Sequence, residues 1–318
     1  MRWPAQIAAG LALAVILGCP APQAAAPASA ASAPDFVFAA LGDTPYTPDE
    51  ESRFIEMIGE MNREPLAFVV HVGDFKNGIS ACGNEIFAQR KEWFELSRHP
   101  FVYIPGDNEW TDCWRAFGVD HKPLERLNRL REVFFRGDAS LGQRTLKLVR
   151  QSDAGTSASR SYPEHARWIH DQVLFATLNV PGGDNNRQRM PEEYSQRSRA
   201  VHDWIRQAFQ LAREQRLPAL VLMMQANPWT AAGQPRRGYA ELLGVIAAET
   251  PRFGGEVLLI HGDTHRFRVD HPLRHQETQQ QIENFTRIEV FGSPFANWVR
   301  VSVRKDNGKL KFDVTPGS

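Results

Sequence analysis

The chain has 318 residues, 37 basic and 37 acidic side chains, a formal net charge of zero and 42% hydrophobic residues. No basic cluster stands out, which argues against nucleic acid or an anionic membrane as the main partner. The length allows one large or two small domains, with ample chain for a substantial core.

Residues 1–33 read as a secretory signal peptide followed by an Ala/Pro-rich segment. Arg2 gives a positive start, residues 7–17 are apolar, and Ala28-Ser29-Ala30 fits a cleavage site after Ala30. The apolar run is too short to span a bilayer, which takes about 20 residues. The expectation is an exported protein, periplasmic or secreted. The alternative is a lipid anchor at Cys19, in a Leu-Gly-Cys string that fits a lipoprotein box poorly. With Cys19 in this leader, Cys82 and Cys113 remain of the three cysteines. An even pair in an exported chain suggests a disulfide, against two free thiols.

Residues 34–318 read as a single domain. A strand over 35–41 is followed by a helix over 48–62 with helical apolar spacing and an acidic first turn. Strands over 67–72 and 100–105 flank a helix over 84–96. This alternation implies parallel pairing with right-handed crossovers. A helix is expected over 120–135, a loop over 151–162, a strand over 173–179 and a Gly/Asn-rich loop over 182–190. The longest helical pattern covers 191–213. Strands at 220–224 and 257–260 flank a helix at 239–248. Stretches 287–291, 298–304 and 309–314 alternate, and Asp306-Asn307-Gly308 supplies a hairpin turn. The C-terminal part is therefore read as antiparallel.

Five segments place a polar, metal-capable residue just after an apolar strand: FAALGDTP (Asp43), VVHVGDF (Asp74), VYIPGDNE (Asp107, Asn108), VLMMQANP (Gln225, Asn227) and LLIHGDTH (Asp263, His265). Open α/β sheets bind ligands beyond the carboxyl ends of their strands. Asp and Gly are also common turn residues, but five such steps in order point to one convergent site. Asn179 ends a further strand and is read as lining the cleft, as is Asn227. Trp110, Trp114 and Trp229 lie beside the motifs, either as packing or as stacking platforms. His71 and His261 lie inside apolar strands and read as core or supporting residues.

The order and spacing of these segments resembles the calcineurin-like metallophosphoesterase superfamily, whose pattern runs Asp-x-His, Gly-Asp, Gly-Asn-His-Glu/Asp, a His after a strand, then Gly-His-x-His. The GDNEWTDC string resembles that of an exported bacterial branch. The resemblance implies a four-layer α/β/β/α sandwich with mixed central sheets. It implies a dinuclear centre in which Asp43, Asp74 and His265 hold one metal while Asp74, Asp107, Gln225 and Asp263 hold the other. Five places depart from the pattern. Asp107 stands where the family has Asn, Gln225 where a His is usual, and Asp263 where Gly-His-x-His has its first His. Pro45 stands where the first motif has His. Asn108 stands where family members have the His that assists catalysis, and it can donate a hydrogen bond but cannot shuttle a proton. Oxygen-rich ligands favour Mn²⁺ or Mg²⁺, with Fe²⁺ or Ca²⁺ as alternatives, over zinc.

The resulting expectation is a metal-dependent phosphoric ester hydrolase acting on a small phosphate monoester or diester. The alternative is a non-catalytic metal- or phosphate-binding protein on the same scaffold, favoured by the missing imidazoles. A third reading, a sugar- or peptide-binding exported protein, treats the Asp loops as coincidental.

Overall fold

The computed structural model describes residues 1, 3, 34–116, 121–154, 162–307 and 309–317. The chain divides into two units, Met1–Ala33 and Pro34–Ser318. The signal-peptide reading and Cys19 lie outside the described residues.

Two sheets build it. The first has the order β12-β11-β1-β2-β3, from β1 (Phe36–Leu41), β2 (Val69–His71), β3 (Phe101–Tyr103), β11 (Val299–Asp306) and β12 (Lys309–Pro316). The second has the order β4-β5-β6-β7-β8-β10-β9. It comprises β4 (Val149–Arg150), β5 (Ala166–His170), β6 (Val173–Thr177), β7 (Ala219–Met223), β8 (Glu256–His261), β9 (Arg268–Asp270) and β10 (Phe285–Glu289). The centres are parallel (β1-β2-β3 and β6-β7-β8-β10), and the outer pairings are antiparallel.

Successive side chains on a strand point to opposite faces, and here both faces are apolar. Val37, Ala39 and Leu41 of β1 pack under the helices α1 (Pro48–Met61), α2 (Asn84–Phe94) and α3 (Pro123–Phe134). Phe38 and Ala40 point the other way, into a core shared with Val173, Phe175, Val221, Leu258 and Ile260 of the second sheet. Leu174, Leu220, Leu222 and Leu259 turn outward beneath α5 (Pro191–Glu214) and α6 (Ala240–Phe253). The order is helices, sheet, sheet, helices. The Phe68 and Phe175 rings meet edge to face across the central layer at 4.9 Å, a favoured aromatic geometry.

Three expectations need correction. The 151–162 stretch is not all loop, since a short helix α4 (Gln151–Ala154) opens it; buried Gln151 anchors there by donating to the Ala200 carbonyl at 2.8 Å. The strands β4 and β5 add an antiparallel edge that the sequence pattern does not announce. The C-terminal part is also not wholly antiparallel. β10 runs parallel to β8, and only then do β11 and β12 form the expected hairpin, on the far sheet beside β1.

Candidate metal centre

Every one of the five motif loops leaves the carboxyl end of a parallel strand. Asp43 follows β1, Asp74 follows β2 and Asp107 follows β3, all from the first sheet. Gln225 follows β7, and Asp263 and His265 follow β8, both from the second. The side chains meet where the two sheets come together. Asp43, Asp74, Asp263 and His265 have φ of 51, 58, 80 and 58°. Left-handed backbone is uncommon outside glycine, tolerated best by Asn, Asp and His, and concentrated at functional sites. Close approach explains two glycines. A Cβ on Gly106 would lie 2.0 Å from Asp74 Oδ1, and one on Gly262 would lie 2.0 Å from Asp43 Oδ2.

Helix α1 sets the first loop. Thr47 caps it by accepting from the Glu50 backbone N–H at 3.3 Å, with Pro48 at its first position. His71 braces the same loop. Its Nε2 donates to the Thr44 carbonyl at 3.0 Å, and its Nδ1 accepts from Gly73 N–H at 3.2 Å. Burial lowers this imidazole to about 4, so it is neutral. The supporting role read from its place in the strand is the one it occupies.

Hydrogen bonds then knit the acids together. The Asp43 carboxylate accepts from Asp263 N–H at 2.9 and 3.1 Å. Asp74 accepts from three donors: Asn108 N–H at 3.1 Å on Oδ1, and on Oδ2 the Tyr46 hydroxyl at 3.2 Å and Gln225 Nε2 at 3.0 Å. Asp263 Oδ2 accepts from Asn227 N–H at 2.9 Å. His265 Nδ1 meets the Ser293 carbonyl at 2.7 Å. That carbonyl only accepts, so Nδ1 carries the proton and Nε2 turns a lone pair into the site. Asp107 Oδ1 differs from all of these: it is buried and has no hydrogen-bond partner.

Burial first, then mutual repulsion, pushes Asp43, Asp74 and Asp107 well above the usual carboxylate range. Asp263, Glu109 and Asp112 are raised as well, each chiefly by burial. Lys76, which the motif reading passed over, is buried beside Glu109 and Asp74. Desolvation lowers it to about 8 despite those neighbours. Its Nζ donates to the carbonyls of Asn108 at 2.7 Å and Asn77 at 2.8 Å.

Three expected roles change. Gln225 is not placed as a metal ligand: its Oε1 accepts from Gly182 N–H at 2.6 Å, and its Nε2 faces Asp74. An amide binds metal through its oxygen, and that oxygen is engaged. Asn108 is not placed to donate to a substrate, because Nδ2 already donates to the Tyr46 hydroxyl at 3.1 Å and the Lys76 carbonyl at 3.0 Å. Asn179 lines no open cleft; it is fully buried and donates to Glu164 at 2.9 Å. Asn227 lies at the site but acts on its neighbours, holding Asp263 through its N–H and Thr264 through Nδ2 at 3.0 Å. Cys82 and Cys113 are bonded, with Cα atoms 5.7 Å apart, and tie the loop before α2 to the turn that follows Asp107.

Tyr46, Lys76 and Asp112 are the site residues that sequence reasoning missed. Each stands within a few residues of a motif aspartate, and that proximity was the available signal.

No protein-family model matches the sequence, and no curated protein matches it. Among solved structures, one of PhoD aligns with 91% of this chain and 70% of its own, at 12% identity and a TM-score of 0.49. Haemophilus influenzae NAD nucleotidase (NadN) aligns with 88% of this chain at 10% identity and a TM-score of 0.44; this chain spans 49% of it. Vacuolar Protein Sorting 29 from Cryptosporidium parvum aligns with 89% of this chain and all of its own, at 10% identity and a TM-score of 0.34. Two mixed sheets stacked between helices, with the five motif loops at one edge, are the four-layer α/β/β/α arrangement that the sequence resemblance implies.

The sequence resemblance implies divalent cations, and the cluster answers differently at its two ends. Among the described residues, no three His, Cys, Asp or Glu side chains are disposed to hold a metal ion together. The carboxylates of Asp43 and Asp74 are already met by protein donors, and His265 Nε2 faces the Tyr46 hydroxyl at 3.4 Å. At Asp107 they are not. A buried acceptor-only oxygen with no donor, beside other carboxylates, fits a hard cation.

Proposed function

We propose that the protein is a metal-dependent phosphoric ester hydrolase that works on small phosphorylated substrates. The observation that carries this reading is the bare, buried Asp107 Oδ1 among acids raised by one another. Asp107, with Asp263 beside it, would hold the cation. A divalent ion there supplies charge neutralisation at the phosphoryl group and acidifies water.

The chain's own residues do the rest. Without a cation the acids repel a phosphate, so substrate binding depends on one. The N–H groups of Asp263 and Asn227 fix the carboxylates of Asp43 and Asp263. Arg236 lies close enough to Asp263 to favour its charged form. Beside the acids lies a cleft of about 230 Å³ lined by Asp112, Trp114, Arg115 and Arg189.

 

That cleft is where the leaving group would sit. Trp114 is exposed, and the Arg189 guanidinium lies over its ring at 3.4 Å. Asn108, which stands where the family pattern has its assisting His, cannot protonate a leaving group. Esters of acidic alcohols, such as aryl esters, are therefore the favoured substrates.

The test is hydrolysis of an aryl phosphate monoester and an aryl diester by chelator-stripped protein. Mg²⁺, Mn²⁺, Ca²⁺, Fe²⁺ and Zn²⁺ are added back separately, with Asp74→Asn as control. Turnover restored by Mn²⁺ or Mg²⁺ and lost in the variant is expected. Turnover that persists in chelator, or unchanged in Asp74→Asn, overturns the reading. The engaged Asn108 amide favours a second reading, a non-catalytic cation- or phosphate-binding protein. Metal-dependent stabilisation without turnover on any ester would select it.

The site of action proposed is outside the cytoplasm, periplasmic or secreted. Its support is the N-terminal sequence together with the bonded Cys82–Cys113 pair.

A further inference from the structure

Tyr46 was assigned no role by the motifs, yet its hydroxyl stands against the atoms a first metal ion would need. It lies 3.2 Å from Asp74 Oδ2 and 3.4 Å from His265 Nε2, and it accepts from Asn108 Nδ2 at 3.1 Å. Asp43 Oδ1 is 3.8 Å from the same His265 nitrogen. Because His265 Nδ1 donates to the Ser293 carbonyl, Nε2 presents a lone pair. That is the arrangement of a metal-ligating histidine, but what faces it is the phenol.

The phenol is braced in this position. Tyr46 N–H donates to Glu50 Oε2 at 2.8 Å, and its carbonyl accepts from Asn77 Nδ2 at 3.0 Å. The other oxygen of Glu50 accepts from the Ser293 hydroxyl at 2.6 Å. Ser293 in turn holds His265, so one Glu50–Ser293 link positions both the phenol and the imidazole. The two rings meet at 5.3 Å, edge to face. The residue before Tyr46 is Pro45, at the place where the family pattern has a histidine. An imidazole ligand is missing there, and a phenol fills the space.

We propose that the Tyr46 hydroxyl takes the place of the metal ion that Asp43, Asp74 and His265 would otherwise share, so that the centre holds at most one cation, on the Asp107 side. This rests on reading the acids as a cation centre. A hydroxyl serves there because it can donate to one of two acceptors while accepting from the Asn108 amide, which closes the hydrogen-bond set without an ion.

The experiment counts bound Mn²⁺ by native mass spectrometry of the full chain and of Tyr46→Ala, after loading and desalting. Tyr46→Ala is expected to hold one more Mn²⁺ than the unmodified protein. Equal counts, or two ions in the unmodified protein, overturn the proposal. No ion in the unmodified protein and one in Tyr46→Ala would support the role of Tyr46 while sinking the metal-dependent reading. Should Tyr46→Ala fail to fold, electron paramagnetic resonance of the Mn²⁺-loaded unmodified protein decides. An uncoupled Mn²⁺ signal supports the proposal, and an exchange-coupled pair contradicts it.

Discussion

Asp107 holds a carboxylate oxygen out of water with no donor beside it. A buried acceptor left unpaired costs about 1–3 kcal/mol, more if charged. In chelator, Asp107→Asn should therefore raise stability by about that amount, and it should abolish any rise in melting temperature on adding Mn²⁺. A variant that melts lower than the unmodified protein in chelator, or responds equally to Mn²⁺, speaks against the assignment. His165 makes a separate prediction far from the acids. Burial lowers its imidazole from 6.5 to about 4, with Glu164 opposing and Arg131 and Arg197 assisting. The folded state thus prefers the neutral ring. Its contribution is complete above 6.5 and is lost as pH falls from there towards 4. At about 1.4 kcal/mol per unit, the full loss is about 3 kcal/mol. Melting curves from pH 7 to 4 should fall less steeply for His165→Gln, and parallel curves would contradict this. At this scale the motif aspartates were legible because each follows an apolar run. Tyr46 and Lys76 were not. A tyrosine between Thr-Pro pairs reads as turn, and a lysine reads as solvent-exposed until its burial is seen.

Elements were legible where burial is two-sided. The apolar runs of β1, β6, β7 and β8 announce strands covered on both faces, and the Asn307 turn announces the β11–β12 hairpin, with φ of 50° at Asn307. Edges were not legible. β5 alternates weakly, and β4 has two residues. Pairing partners were hidden as well, because β11 sits beside β1 from the opposite end of the sequence. The Cys82–Cys113 bond closes a separation of 31 residues around β3 and the Asp107 turn. Replacing both cysteines with serine should cost about 2–4 kcal/mol in chemical denaturation. It should also weaken Mn²⁺ binding, because the turn carrying Asp107 loses its tie to the loop before α2. Unchanged stability and affinity would show that the turn is held by its hydrogen bonds alone.

Across the whole molecule, the candidate site is a junction. Asp43, Asp74 and Asp107 come from one sheet, and Gln225, Asp263 and His265 from the other. The site therefore exists only while the two sheets pack through Phe38, Phe68, Phe175 and their neighbours. The order of motifs in the sequence showed which loops share an edge; the engagement of Asn108, Gln225 and Tyr46 depends on side chains from both sheets meeting, which no linear pattern displays. The most direct measurement of the central claim is calorimetric titration of Mn²⁺ into chelator-stripped protein and into Asp107→Asn. Saturable binding that disappears in the variant is the expected result. Absence of binding to the unmodified protein, or equal binding to both, would contradict the account of this junction as a cation centre.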